Sequence, residues 1–152
     1  MLIGVISDTH GLMRPEAVAA LTGVEHIIHA GDIGSPDIVP QLSEIAPVTA
    51  IRGNVDTQTW ALELPAREVV TLAGWTIYVI HDLGDLDLDP AAAGFEIVIS
   101  GHSHMPKIET RRGVVFLNPG SAGPRRFRLP ITLATVDLSA EPLQPLIQPI
   151  VE

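Results

Sequence analysis

The sequence contains no cysteine. Neither disulfides nor a thiolate zinc cluster can support the fold, and any metal must be held by His, Asp, Glu or Asn. It also lacks a long hydrophobic run, since nothing approaches the roughly 20 apolar residues that span a bilayer. The apolar start, Met1 to Ile6, has no basic flank and is too short for a signal-peptide core, so a cytoplasmic protein is expected. Positive charge is scarce as well, with 9 Lys+Arg against 18 Asp+Glu and a net charge of −9. That balance argues against a general nucleic-acid binder, which needs clustered cations to neutralise phosphates. Arg125, Arg126 and Arg128 form the one local exception.

What is present suits one domain over residues 1–152, long enough to bury about 70% of the surface its unfolded form exposes. No internal repeat, low-complexity tract or linker interrupts it. Leu2 to Ile6, His26 to His29 and Val48 to Ile51 read as parallel strands. Between them, Pro15 to Leu21 reads as a helix with proline in its first turn, and a second helix is expected from Ser35 and Pro36 to about Ile45. Strand alternating with helix is the signature of a parallel α/β sheet. The second half is mainly β. Arg67 to Leu72 and Trp75 to Ile80 form one hairpin, Glu96 to Ile99 a buried strand, Lys107 to Thr110 and Val114 to Leu117 a second hairpin, and Leu129 to Val136 and Leu143 to Ile150 the last strands. Two sheets packed face to face with helices outside accommodate both halves.

Five strand ends carry metal-ligating side chains: Asp8 and His10, Asp32, Asn54, His81, and His102 with His104. In α/β sheets, ligand-binding groups gather in the crevice outside the carboxyl ends of strands. Glycines beside these residues, Gly31 and Gly53 among them, permit tight turns and close backbone approach. Seven ligands exceed the need of one ion and suit two divalent ions sharing a carboxylate. Mixed oxygen and nitrogen donors favour manganese, iron, zinc, cobalt or nickel over calcium or copper(I).

The series Asp8-Thr9-His10, Gly31-Asp32, Gly53-Asn54-Val55-Asp56, His81 and Gly101-His102-Ser103-His104 strongly resembles the calcineurin-like metallophosphoesterase superfamily, in particular its small bacterial and archaeal phosphodiesterases. Order and chemistry match over residues 2 to about 121, and Asn118-Pro119-Gly120-Ser121 matches a loop common in that group. The resemblance implies a four-layer α/β sandwich of two mixed sheets with flanking helices. It implies Asp8, His10 and His104 around a first metal, Asn54, His81 and His102 around a second, and Asp32 between them. It further implies a hydrolase of small-molecule phosphodiesters, manganese-loaded, in which a bridging hydroxide attacks phosphorus directly. A homodimer or homotetramer is a candidate assembly. A non-catalytic scaffold of the same fold, a phosphomonoesterase and a nuclease stay open as alternatives.

Two departures stand out. Val55 occupies a place where many members carry a histidine proposed to protonate the leaving group, and general-acid help is worth about 10²–10⁴-fold. Esters with stabilised leaving groups are therefore the expected substrates. Asp82 follows His81 where a glycine and a second histidine are common, and residues 82–95 are too short and acidic for the helix usual there. Asp82 and Asp85 are expected to be solvated. His29 is expected to be a hydrogen-bonded interior residue and His26 a surface one, with Trp60 packed in the core. Asp56 either contacts substrate, orients Asn54 or stabilises a turn; Arg125 and Arg126 either clamp a phosphate or are ordinary surface arginines.

Overall fold

A computed structural model describes residues 1–151. Its strands are β1 (Leu2–Ile6), β2 (His26–His29), β3 (Val48–Ala50), β4 (Arg67–Leu72), β5 (Trp75–Ile80), β6 (Ile97–Ile99), β7 (Lys107–Arg111), β8 (Val114–Asn118), β9 (Ile131–Asp137) and β10 (Leu146–Val151). Three short helices join them: α1 (Pro15–Ala20), α2 (Ile38–Ser43) and α3 (Thr59–Leu62). One five-stranded sheet runs β10-β9-β1-β2-β3 and the other β4-β5-β6-β8-β7. Both are mixed. In the first, β1, β2 and β3 are parallel while β9 opposes β1; in the second, β5, β6 and β8 are parallel, flanked by antiparallel β4 and β7.

Strand alternation explains the layers. Along β1, Ile3 and Val5 face the second sheet, where they join Ile28, Ile51, Ile77, Val79, Ile97, Ile99 and Leu117 in the central core. Ile6 and, from β2, Ile27 face the helices and pack with Ala17, Leu21, Ile38 and Leu42. Gly4 sits mid-strand on that helix-facing side, where an added Cβ would come within 2.3 Å of the Leu21 side chain. The strand gives up a side chain there so that α1 can lie close. Truncating the fully buried Ile28 to alanine would open a cavity between the sheets. Chemical denaturation is expected to register a loss of about 2–5 kcal/mol with little change in m-value.

The two-sheet sandwich matches the expected architecture, and β1, β2, β4 and β5 fall on the expected residues. The second helix differs, because it begins at Ile38 rather than Pro36. A helix opening at Pro36 would put Pro40 beyond the first turn, where its ring clashes with the carbonyl four residues back. Starting at Ile38 leaves Pro40 within the first turn, where a missing N–H is harmless. The four residues of α3 gave no recognisable sequence signal. On the outer face of the second sheet, Tyr78, Ile80, Val98 and Val114 are covered by Leu83, Leu86 and Phe95. That layer is the 82–95 segment, which contains only a 3₁₀ turn at Leu83–Asp85. No helix among the described residues is long and apolar enough to cross a membrane.

Candidate metal centre

The parallel strands of both sheets point their carboxyl ends to one edge of the sandwich. β1 delivers Asp8 and His10, β2 Asp32 and β3 Asn54; from the second sheet, β5 delivers His81, and the loop between β6 and β7 delivers His102 and His104. Among the described residues, eight non-glycine positions have a left-handed φ, and five of them are Asp8, His10, Asp32, His102 and His104. Such backbone is uncommon outside glycine, though Asp and His adopt it more readily than most, and it concentrates where surroundings over-determine it.

The loops also approach too closely for ordinary side chains. A Cβ on Gly53 would lie 2.2 Å from Asp32 Oδ1, and one on Gly34, at φ +92°, would lie 2.3 Å from the Gly11 nitrogen. Glycine at these two positions lets the ligand-bearing turns pack backbone to backbone.

Asp8, His10 and His104 offer donor atoms within 4.8 Å of one another, as do Asp32, His81 and His102. Asp8 Oδ1 lies 3.5 Å from His104 Nε2 and 3.8 Å from both His10 Nε2 and His81 Nε2. Asp32 Oδ2 lies 3.1 Å from His81 Nε2 and 3.7 Å from His10 Nε2, so this carboxylate borders both groups. Asn54 Oδ1 is 3.2 Å from His102 Nδ1. All seven expected residues thus converge.

Hydrogen bonds outside the cluster aim these atoms. Ser7 Oγ and the His102 N–H donate to Asp8 Oδ2, at 2.7 and 3.1 Å, which leaves Oδ1 turned inward. His81 donates its Nδ1–H to the Ala30 carbonyl at 2.7 Å, so Nε2 presents its lone pair to the centre. Among the described residues, Asp8 Oδ1, His81 Nε2 and His104 Nδ1 are buried with no hydrogen-bond partner; the first two face the centre, and the Asp32 carboxylate 3.1 Å from His81 Nε2 is itself an acceptor. Two inward-facing acceptors without donors, in a cluster spaced about as ligands around a metal with bonds near 2.1 Å, fit a divalent cation.

Electrostatics are uneven across the pair of carboxylates. Burial, reinforced by the neighbouring Asp32, raises the Asp8 pKa above its usual value despite the Ser7 hydrogen bond and the His81 charge. Burial also works against the Asp32 anion, but His81 and the Val55 N–H overcome it and bring that carboxyl down to about 2. The His81 imidazole is disfavoured as a cation by burial, yet its contacts with Asp32 and the Ala30 carbonyl raise it overall. Burial and the nearby charges of Arg126 and His10 lower His104 to about 4.

The surrounding residues resolve several open expectations. His29 is fully buried, accepts the Gly31 N–H at Nδ1 (3.1 Å) and donates to Thr9 Oγ1 (3.0 Å), whose hydroxyl donates to the Ile33 carbonyl. It is the interior histidine anticipated, held neutral chiefly by burial with its pKa near 3. His26 is not a surface residue but half-buried, 2.8 Å from Thr49 Oγ1 on the neighbouring strand. Trp60 is half-buried against the helix-side core and donates to Gln58 Oε1. Asp85 is exposed as expected, whereas Asp82 is half-buried with Oδ2 3.6 Å from His102 Nε2.

Asp56 is 98% buried, and its carboxylate accepts the N–H groups of Ile33, Gly34 and Gly53 at 2.8–3.0 Å. It ties the Asp32 turn to the Asn54 turn. Asn118 donates to the Gly101 carbonyl and Ser103 Oγ, while Ser121 Oγ donates to the Asp8 carbonyl, so the 118–121 loop braces both ligand-bearing loops. Arg125 is exposed and donates to the Leu129 carbonyl. Ser7 escaped the sequence reading, its only signal being its place before Asp8.

The sequence profile of the calcineurin-like phosphoesterase superfamily domain matches residues 1–141. The chain belongs to that superfamily. A probable metallophosphoesterase of Methanothermobacter thermautotrophicus is 41% identical over 133 residues, covering 80% of this chain and 77% of its own length. Among solved structures, a double mutant of Vps29 from Entamoeba histolytica superposes with a TM-score of 0.81 at 21% identity, covering 100% of this chain and 94% of that one. A protein described as a novel archaeal phosphodiesterase gives 0.75 at 21% identity, covering 97% and 100%. Calcineurin-like phosphoesterases use divalent metals, which agrees with the donor set assembled in this member. The Val55 side chain, at the position of the usual histidine, is exposed, and its backbone N–H rather than its side chain serves the site by donating to Asp32 Oδ1 at 3.1 Å.

Proposed function

We propose that this phosphoesterase is a phosphodiesterase that hydrolyses a small-molecule diester at a dinuclear centre. Asp8, His10 and His104 would hold one ion, Asn54, His81 and His102 the other, with Asp32 shared. The observation that carries this reading is the pair of buried, partnerless acceptors, Asp8 Oδ1 and His81 Nε2, within a cluster contributed by both sheets. Two divalent ions bound there would polarise the phosphoryl oxygens and supply an activated water as nucleophile.

The chain's own part is to fix its donors before substrate arrives. Ser7 and the His102 N–H hold Asp8, Ala30 selects the His81 tautomer, and Asp56 locks two turns together. Within a protein of net charge −9, a centre made positive by bound ions would draw the phosphate ester to this edge. With Val55 in place, no imidazole from that position protonates the departing alkoxide, which favours esters whose leaving groups are stable anions. Manganese is our first choice of metal, with iron, zinc, nickel and cobalt compatible with the same donors.

Chelator-stripped protein with manganese restored is expected to cleave bis(p-nitrophenyl) phosphate in preference to p-nitrophenyl phosphate. Failure to cleave either ester with any of these metals would overturn the catalytic reading in favour of a scaffold.

A further inference from the structure

Two clefts of different chemistry open on either side of His102. The first, about 310 Å³, is predominantly apolar, with Leu83, Met105 and Phe116 in its walls and Ser103 and Asn118 as polar groups. The second, about 220 Å³, is lined by Arg52, Arg67 and Asp85 together with Asn54 and His81. His102 and Asp82 belong to both, so the two clefts meet over the Asp32–His81–His102 group.

The first cleft's lining charges balance only as a set: Glu109 pairs with Lys107 at 3.3 Å and with Arg111 at 2.8 Å, and Asp82 on the same lining supplies the second negative charge. The planar guanidinium of Arg111 lies over the Phe116 ring, 5.0 Å from its centroid, and so covers one face of that ring. Met105 is 55% exposed, and its thioether adapts well to ring edges. A predominantly apolar, charge-compensated slot of this kind accepts an uncharged aromatic group and offers little to a second anion.

The second cleft combines donors and acceptors. Arg52 donates to the neutral Leu64 carbonyl and so keeps its full charge, Arg67 pairs with Asp87 at 3.2 Å, and Asp82 and Asp85 supply carboxylates. Donors and acceptors in one small space match hydroxyl groups, which both give and take hydrogen bonds.

A phosphodiester has two ester arms. We infer that the substrate is an unsymmetrical phosphodiester, its phosphorus over the junction at His102, its aromatic arm in the Phe116–Met105 cleft and a hydroxylated arm in the Arg52–Asp85 cleft. This rests on the diesterase reading and adds the chemistry of the two arms. It also gives a structural reason for preferring diesters, since a monoester leaves one cleft empty.

The test uses esters that share a p-nitrophenyl leaving group and carry either a glycerol or an ethyl second arm, with the manganese-loaded protein; phosphorus NMR of the products counts only turnover to glycerol 1-phosphate, because attack by the neighbouring glycerol hydroxyl would give a cyclic phosphate and the 2-phosphate. The glycerol ester is expected to have a kcat/KM at least about tenfold higher. Asp85→Ala should bring the glycerol-to-ethyl ratio close to one. Met105→Ala should raise KM about fivefold or more for both esters at unchanged metal content; as an exposed residue its truncation does not threaten the fold. Binding is read separately by saturation-transfer NMR of the ethyl ester on metal-free protein. Its ring protons should receive more saturation than its ethyl protons, and the difference should vanish in Phe116→Ala once circular dichroism shows that variant folded. Cleavage with an arm ratio and KM unmoved by either exposed-site variant would overturn the cleft assignment and leave the diesterase reading intact. Ring saturation without cleavage under any metal would overturn the diesterase reading and leave the aromatic cleft standing; absence of both would overturn the two together.

Discussion

Replacing Asp32 by alanine is expected to lower metal-dependent diester hydrolysis by at least about 10³-fold and to strip both metals from the purified protein. The size of the effect follows from position. Asp32 Oδ2 reaches toward His81 at 3.1 Å and toward His10 at 3.7 Å, so one carboxylate serves both donor groups. Its other oxygen accepts the Val55 N–H and lies against Gly53, which fixes the carboxyl plane. Asn54→Ala is the informative contrast, because Asn54 meets only His102 within the cluster and its loss should deplete chiefly one ion. Metal content by plasma mass spectrometry after gel filtration decides the matter. Equal content in wild type and Asp32→Ala would refute the shared-ligand assignment even if activity were lost.

Asp56→Ala is expected to destabilise the protein by about 3–5 kcal/mol, the largest stability loss anticipated for a single side chain near the centre. Three backbone N–H groups from two turns lose their charged acceptor together, and the 98% burial of Asp56 leaves little water to replace it. Asp56→Asn retains one acceptor oxygen and should recover part of the loss. Because the carboxylate joins the Asp32 turn to the Asn54 turn, looser packing should also lower metal affinity by about 10–100-fold. Urea unfolding of the metal-free protein separates the two effects, and a stability change below 1 kcal/mol there would show that the three contacts are replaceable.

The clustering of these donor side chains was legible in the sequence because its information is local. Each donor lies in the loop that follows an apolar strand, as Asp8 comes after Leu2 to Ile6 and His81 after Trp75 to Ile80, so strand ends and donor types can be read in one pass. The two-sheet architecture was legible for the same reason, through the switch from strand-helix alternation to hairpins near residue 63. What escaped depends on partners distant in the chain. Asp56 read equally as a substrate contact, an orienter of Asn54 or a turn residue until its carboxylate met N–H groups 22 and 23 positions away. Asp82 read as a solvated acid, and only the fold brings it beside His102. The onset of α2 turned on a steric contest between Pro36 and Pro40 that composition does not settle. Helix α3, at four residues, is too short to show a periodicity.

The donors divide between the sheets, with Asp8, His10, Asp32 and Asn54 on one and His81, His102 and His104 on the other. Ions held across that seam would therefore clasp the two halves of the sandwich, and whatever free energy they release on binding must be supplied again before the sheets can part. At a metal concentration 100 times the dissociation constant the clasp adds about 2.7 kcal/mol per site to the resistance against unfolding. Seen this way, the edge proposed to be reactive would also be the molecule's fastener, and withdrawing the metal would loosen the whole protein at the moment it silenced the chemistry.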